Sequence, residues 1–210
     1  AIANEAFRKA LYYGWDISEY YTRVNAVNPM VCENNFYTMK GLVYTSDGTD
    51  YVELVREEMG LPKENGETLL RLDAELAEQY KQQAIEELTA LGVTFPVEMD
   101  YYIAAANQVS LDSANVLAQS ISNSLGDDFM KLNIKTYVSS STQEVLNPHL
   151  QSITMNGWGA DYGDPQNYLG NEVSGNDSAY YSRTQNNIND VEATEATQDL
   201  LDTYAEFTAM

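Results

Sequence analysis

Residues 95–138 read FPVEMDYYIAAANQVSLDSANVLAQSISNSLGDDFMKLNIKTYV, and the architecture turns on how they divide. Over Phe95–Tyr102 the apolar Val97, Met99 and Tyr101 alternate with Glu98, Asp100 and Tyr102, the two-residue period of a half-buried strand. Ser110–Leu125 changes period: Leu111, Ala114, Leu117, Ile121 and Leu125 fall at helical spacing, with Ser110 as N-cap and Gly126 as C-cap. Asn133–Val138 returns to a strand. Strand, helix and strand in this order form a crossover, which predicts two parallel strands joined by a right-handed connection. The chain is therefore expected to be α/β.

Upstream, Asp73–Leu91 reads as a helix with the stripe Leu76, Ala77, Tyr80, Ala84, Ile85, Leu88 and Leu91. Acids stand in its first turn and Gly92 where a left-handed cap belongs. Residues 4–24 form two short helices broken at Asp16-Ile17-Ser18, with Ser18 capping the second. Residues 25–68 carry turn formers and little period, and read as loops around one helix, Asp50–Met59. Downstream, Gln151–Asn156 is expected as a third strand with Ile153 and Met155 inward. At its carboxyl end it delivers the chain into Gly157-Trp158-Gly159-Ala160-Asp161-Tyr162-Gly163-Asp164-Pro165. Open α/β sheets bind ligands beyond the carboxyl ends of their strands, so this segment is the candidate site. Thr194–Met210 is an amphipathic run with Leu200, Leu201, Tyr204 and Phe207 on one side. Ala1-Ile2-Ala3 at the other end carries no start Met, and together the two ends point to a piece of a longer chain.

Charge removes several functions. The 210 residues hold 32 acids and 11 bases, for a net charge of −21. Only Lys131, Lys135 and Arg183 stand among the bases after residue 82, too few to face a phosphate backbone or an anionic membrane. The acid excess reads as a solvated exterior. A single cysteine, Cys32, makes no internal disulfide, and a single histidine, His149, builds no histidine-based zinc site. A Cys32/His149 catalytic pair finds no supporting pattern around either residue. No apolar run approaches the roughly 18 residues of a membrane span, and no cofactor is expected.

In the loop, the glycines allow close approach of a ligand to the main chain. Trp158 offers a flat apolar face, and Asp161 a charge that can pair with an ammonium group. Together they suit an extended peptide held by its amino terminus and backbone. Two other readings stay open. Gly, Asp and Pro also build ordinary tight turns, with Trp158 in the core. Asp161 and Asp164 could instead act as an acid/base pair beside an aromatic sugar platform, as in a carbohydrate-binding protein or glycoside hydrolase. The doubled tyrosines at 12–13, 20–21, 101–102 and 180–181 are expected to place one ring inside and one outside rather than to line a groove.

The segment Gly157–Leu169, GWGADYGDPQNYL, resembles the Gly-Trp-x-Ala-Asp-Tyr-x-[Asp/Glu]-Pro-x-x-[Phe/Tyr]-Leu signature of the oligopeptide-binding proteins of ABC importers, the extracellular solute-binding protein family 5. Phe7–Asp16 (FRKALYYGWD), Gln79–Gly92 and Ala114–Val138 are similar to further segments of that family in order and spacing. The resemblance implies a lobe of the periplasmic-binding-protein type II kind, a mixed sheet with a βαβ crossover and flanking helices. Residues 1–210 would form the second lobe of a two-lobed clamp, with 1–68 a helix plus long loops and 69–210 the α/β core. The first lobe and a carboxyl-terminal segment would be absent. It implies a non-enzymatic extracellular or periplasmic receptor. The receptor would be lipid-anchored outside this chain and would deliver oligopeptides to the permease subunits of an importer. Residue by residue, Asp161 matches the acid that pairs with the peptide's ammonium group. Gly157, Trp158 and Gly159 match positions that meet the peptide main chain and first side chains. Some members carry a base two places before the Gly, and here that position is Met155. Members that bind nickel, sugars or opines exist, and with one His and no thiolate cluster nickel fits this lobe least. A lobe that docks on a permease without gripping a ligand is a third reading.

Overall fold

The computed structural model describes residues 1–33, 36, 38–60, 71–155, 158–173 and 191–209. In chain order the elements are α1 (Glu5–Gly14), α2 (Ser18–Val24), α3 (Tyr51–Glu58), α4 (Ala74–Ala90), β1 (Val97–Ala104), α5 (Gln108–Leu125), β2 (Met130–Tyr137), α6 (Pro165–Leu169) and α7 (Gln198–Ala209). Strands β1 and β2 pair in parallel, from Val97 opposite Met130 to Ala104 opposite Tyr137, with α5 as the crossover. The α/β expectation holds.

Caps set the helix boundaries. Asp73 accepts from the N–H groups of Glu75 and Leu76 at 3.0 and 2.9 Å and starts α4. At the other end Gly92 adopts φ 83°, the left-handed conformation that glycine enters without a Cβ penalty. Leu91, expected on the apolar stripe, lies past the last turn and is exposed. Two predicted caps move. Asn107, not Ser110, caps α5, its Oδ1 accepting the Ser110 N–H at 3.0 Å. Ser18 is the first residue of α2, not its cap; Ile17 stands at the cap position without a side-chain bond, and Asp16 accepts from the Ser18 N–H and hydroxyl at 2.9 and 2.6 Å. In both cases the helix begins upstream of where the expected cap would place it, so the serine lies inside the first turn.

Strand alternation decides what each sheet face meets. Met99, Tyr101, Met130 and Leu132 join Phe7 and Ala10 of α1, Ala77, Ala84 and Leu88 of α4, and Ala114, Leu117, Ile121 and Leu125 of α5 in one core. Burial pushes the Tyr101 phenol up to about 12. Phe129, which no solvent reaches, touches the Phe7 ring (centroids 5.2 Å apart) and stacks on Phe95 (5.7 Å, 18°). Helices α1, α4 and α5 meet closely at Gly14, where a Cβ would collide with Leu125 and stand 3.0 Å from Ala77 Cβ. Lys81 of α4 fastens the end of α5, donating to the Leu125 carbonyl at 2.7 Å. The opposite sheet face is polar: Lys135 pairs with Asp100 at 2.6 Å, and Asn133 donates to Glu98 and Asp100.

The third strand is reduced. Where Gln151–Asn156 was expected to pair regularly, the described segment makes one parallel bridge, Ile153 to Tyr101. Ser152 Oγ accepts the Asp100 N–H at 3.0 Å, replacing the backbone carbonyl a ladder would supply there. Ile153 packs on the core as predicted, but Met155 is about half exposed rather than inward, and Asn156 lies outside the described residues. Tyr101 and Tyr102 divide as core and half-buried ring, and Tyr12 is exposed while Tyr13 stacks on Tyr80. Tyr20 and Tyr21 are both half-buried, and Tyr180-Tyr181 is not among the described residues. Among those residues no helix is long and apolar enough to cross a membrane. Nor does any group of three or more His, Cys, Asp or Glu among them stand where it could hold a metal ion.

Candidate functional site

Backbone geometry carries residues 152–153 alongside β1, through Ser152 N–H to Asp100 carbonyl at 2.9 Å, so the chain leaves the sheet at its carboxyl edge. Gly157 lies outside the described residues; Trp158, Gly159 and Asp161 are described. Trp158 is half-buried and meets Tyr168 edge to face, with ring centroids 5.7 Å apart at 84°. The indole is thus braced by α6 rather than sunk in the main core. A Cβ at Gly159 would meet nothing within 4 Å, so the chain leaves the space beside this backbone open.

Asp161 is exposed, and among the described residues its carboxylate has no hydrogen bond or ion pair. Its own N–H donates to Asn167 Oδ1 at 2.7 Å, which fixes the backbone and leaves the side chain uncommitted. Asp164 is different. Its Oδ1 accepts the Gln166 N–H at 2.8 Å and caps α6, with Pro165 in the first turn. The two carboxylates expected as an alternative acid/base pair therefore have unlike roles: one is a helix cap, the other is free.

Contacts distant in sequence hold the loop. Tyr168 donates to Met39 Sδ at 3.0 Å, and Gly163 lies against Leu42. That partner segment is itself tied down by Asp50, which is buried and accepts from Gly41 N–H at 2.6 Å and from Val52 N–H at 2.9 Å, capping α3. Sequence reasoning placed a helix start at Asp50 but gave no hint of its second bond, because Gly41 carries no pattern of its own.

A feature that the sequence did not disclose lies beside the loop. A cavity of about 180 Å³ opens at the carboxyl ends of β1 and β2, bordered by Tyr102, Tyr137, Ser141, Gln151, Thr154 and Met155. The turn that roofs it is fastened by Glu144, whose carboxylate accepts from the N–H groups of Val138 (2.9 Å), Ser140 (2.8 Å) and Ser139 (2.7 Å) and from the Ser139 hydroxyl (2.8 Å). These bonds hold its carboxyl at about 2, below the ordinary 4.5. A carboxyl lowered on folding stabilises the fold above its unfolded value, and that contribution fades as pH falls toward the folded one. The amide resonances of Val138, Ser139 and Ser140 are thus expected to titrate with a midpoint near 2 in an NMR pH series. A midpoint near 4.5 would mean the turn is not held this way.

No family model matches the chain. Oligopeptide-binding protein SarA of Streptococcus gordonii is 30% identical over 189 residues, covering 80% of this chain and 28% of that protein. The chain spans about 28% of the length of the curated relatives it matches. Among solved structures, the substrate-binding domain of an oligopeptide ABC transporter from Bacillus anthracis matches with a TM-score of 0.58 and 19% identity. The match covers 96% of this chain and 33% of that one. A peptide-binding protein of a peptide ABC transporter matches with a TM-score of 0.57 and 20% identity over 98% of this chain and 86% of that one. The resemblance to oligopeptide-binding proteins read from the sequence is borne out, and the fold is of the periplasmic-binding-protein type II kind.

Proposed function

We propose that this chain, similar over most of its length to oligopeptide-binding proteins, is the second lobe of a two-lobed extracytoplasmic receptor that captures peptides for an ABC importer. Residues 1–210 act as one α/β lobe. The other lobe closes over the ligand, and permease subunits receive it. The receptor stands outside the cytoplasm, lipid-anchored through a segment beyond this chain, and performs no chemistry on what it binds.

The observation that carries this reading is Asp161: an exposed carboxylate without a partner among the described residues, on a backbone held by Asn167. Beside it stand the braced ring of Trp158 and the open flank of Gly159. An ammonium group pairs with the carboxylate, while the peptide main chain lies along Gly157–Gly159. Both interactions are common to all peptides, so affinity tolerates varied sequence. Closure removes water and strengthens the charge pair.

The test is native mass spectrometry of the full-length protein, purified without denaturation. The expected result is a spread of adduct masses that fragment into amino-acid ladders. A single sugar-like mass or a metal adduct would overturn the peptide assignment and leave only the fold.

A further inference from the structure

We infer that the cavity at the carboxyl end of the sheet receives a ligand side chain ending in a neutral amide, and that Gln151 selects it. The inference rests on the peptide-receptor reading and adds to it a preference among side chains.

Three observations lead there. Gln151 is 8% exposed, and its Oε1 is buried without a hydrogen-bond partner among the described residues. A buried acceptor left unsatisfied is costly, and a ligand donor that reaches it removes that cost. Next, the surrounding wall is largely hydroxylic, with Tyr102, Tyr137, Ser141 and Thr154 around the opening and Val145 and Leu146 as its apolar part. Finally, no cation lines it. The nearby Lys135 is committed to Asp100 at 2.6 Å, and Glu144 sits in the turn that carries Ser141 and Val145.

These facts order the candidates. A carboxylate side chain has no proton to give the unpaired Oε1 and comes close to a carboxylate-bearing turn, while the Lys135 ammonium, 6.0 Å from the Tyr102 ring, is already paired with Asp100. An aliphatic side chain fits by size but leaves Oε1 unsatisfied. An amide donates to Oε1 and accepts from the hydroxyls, so each half of the group finds a partner. About 180 Å³ equals roughly six waters at ~30 Å³ each, room for one such side chain with its remaining hydration. Met155, which borders the cavity, stands three residues before Trp158 in the sequence.

The experiment is calorimetric titration of the full-length protein with tetra-alanine peptides bearing Gln, Glu or Leu at each position in turn. At one position Gln is expected to bind at least about tenfold tighter than Glu or Leu, as for a site built around a hydrogen bond. In Gln151→Leu that advantage should vanish while the alanine peptide still binds, and Thr154→Val should reduce it if Gln151→Leu does not fold. Peptide binding with no such preference, or a preference that survives Gln151→Leu, overturns the selection by Gln151 and leaves the receptor reading intact. No binding by any peptide overturns both.

Discussion

Phe129→Ala is expected to destabilise the fold by about 3–5 kcal/mol, the usual range for deleting a buried phenyl ring. The ring is wholly buried, stacked on Phe95 and in contact with Phe7, so one residue joins α1, the approach to β1 and the start of β2. Lys81 Nζ also lies 5.8 Å from its centroid, so the stem that reaches the end of α5 loses a surface to lie on. Filling the gap would mean moving the Phe7 and Phe95 rings, which are themselves packed in the core. Domains of this size are stable by about 5–15 kcal/mol, so the variant should retain a small margin or unfold. The measurement is the urea midpoint with unchanged slope. A loss below about 1 kcal/mol would mean that the core relaxes around the cavity and that this junction is not its centre.

Asp161→Asn tests the site instead of the fold. The Asp161 N–H to Asn167 bond does not involve the side-chain charge, so stability should not change. If the carboxylate pairs with a peptide ammonium, the full-length variant should lose about 2–4 kcal/mol of binding, roughly 30- to 700-fold in Kd. Much of that loss is the ammonium left buried without a counter-charge. Amino-terminal acetylation of the peptide should weaken the wild type by a similar factor and leave the variant nearly unmoved. Calorimetry with the two peptides and the two proteins closes the cycle. Equal affinity in wild type and variant would reduce Asp161 to a turn residue.

What could be read from the sequence depended on whether the signal was local. Helix α4 was legible because Asp73, the apolar stripe and Gly92 all lie on the segment they define. Strand β2 was found but started three residues late, since Asp127 and Asp128 extended the turn and masked the alternation of Met130 and Leu132 around Lys131. The misplaced caps share one cause: Ser110 and Ser18 have the right chemistry, but the helices start at Gln108 and Ser18, which puts both serines inside the first turn. Trp158 and Asp161 stood out by composition alone. Their support did not, because Met39 and Tyr168 are 129 positions apart and neither predicts the other. The cavity was hidden for the same reason. Tyr102 and Tyr137 share its border only because the parallel register sets Ala104 against Tyr137, and Gln151 arrives from a third segment.

The polar sheet face has a consequence for crowding. Of the three bases that follow residue 82, Lys131 and Lys135 both stand on β2, which among the described residues pairs on one side only. An unpaired strand edge is a template on which a second molecule can add its own strand, and lysines along it are a recurrent guard against such growth. In an otherwise acidic chain, copies meeting edge to edge along β2 would bring lysine against lysine. Placing two scarce positive charges there keeps neighbouring molecules apart without raising the overall charge.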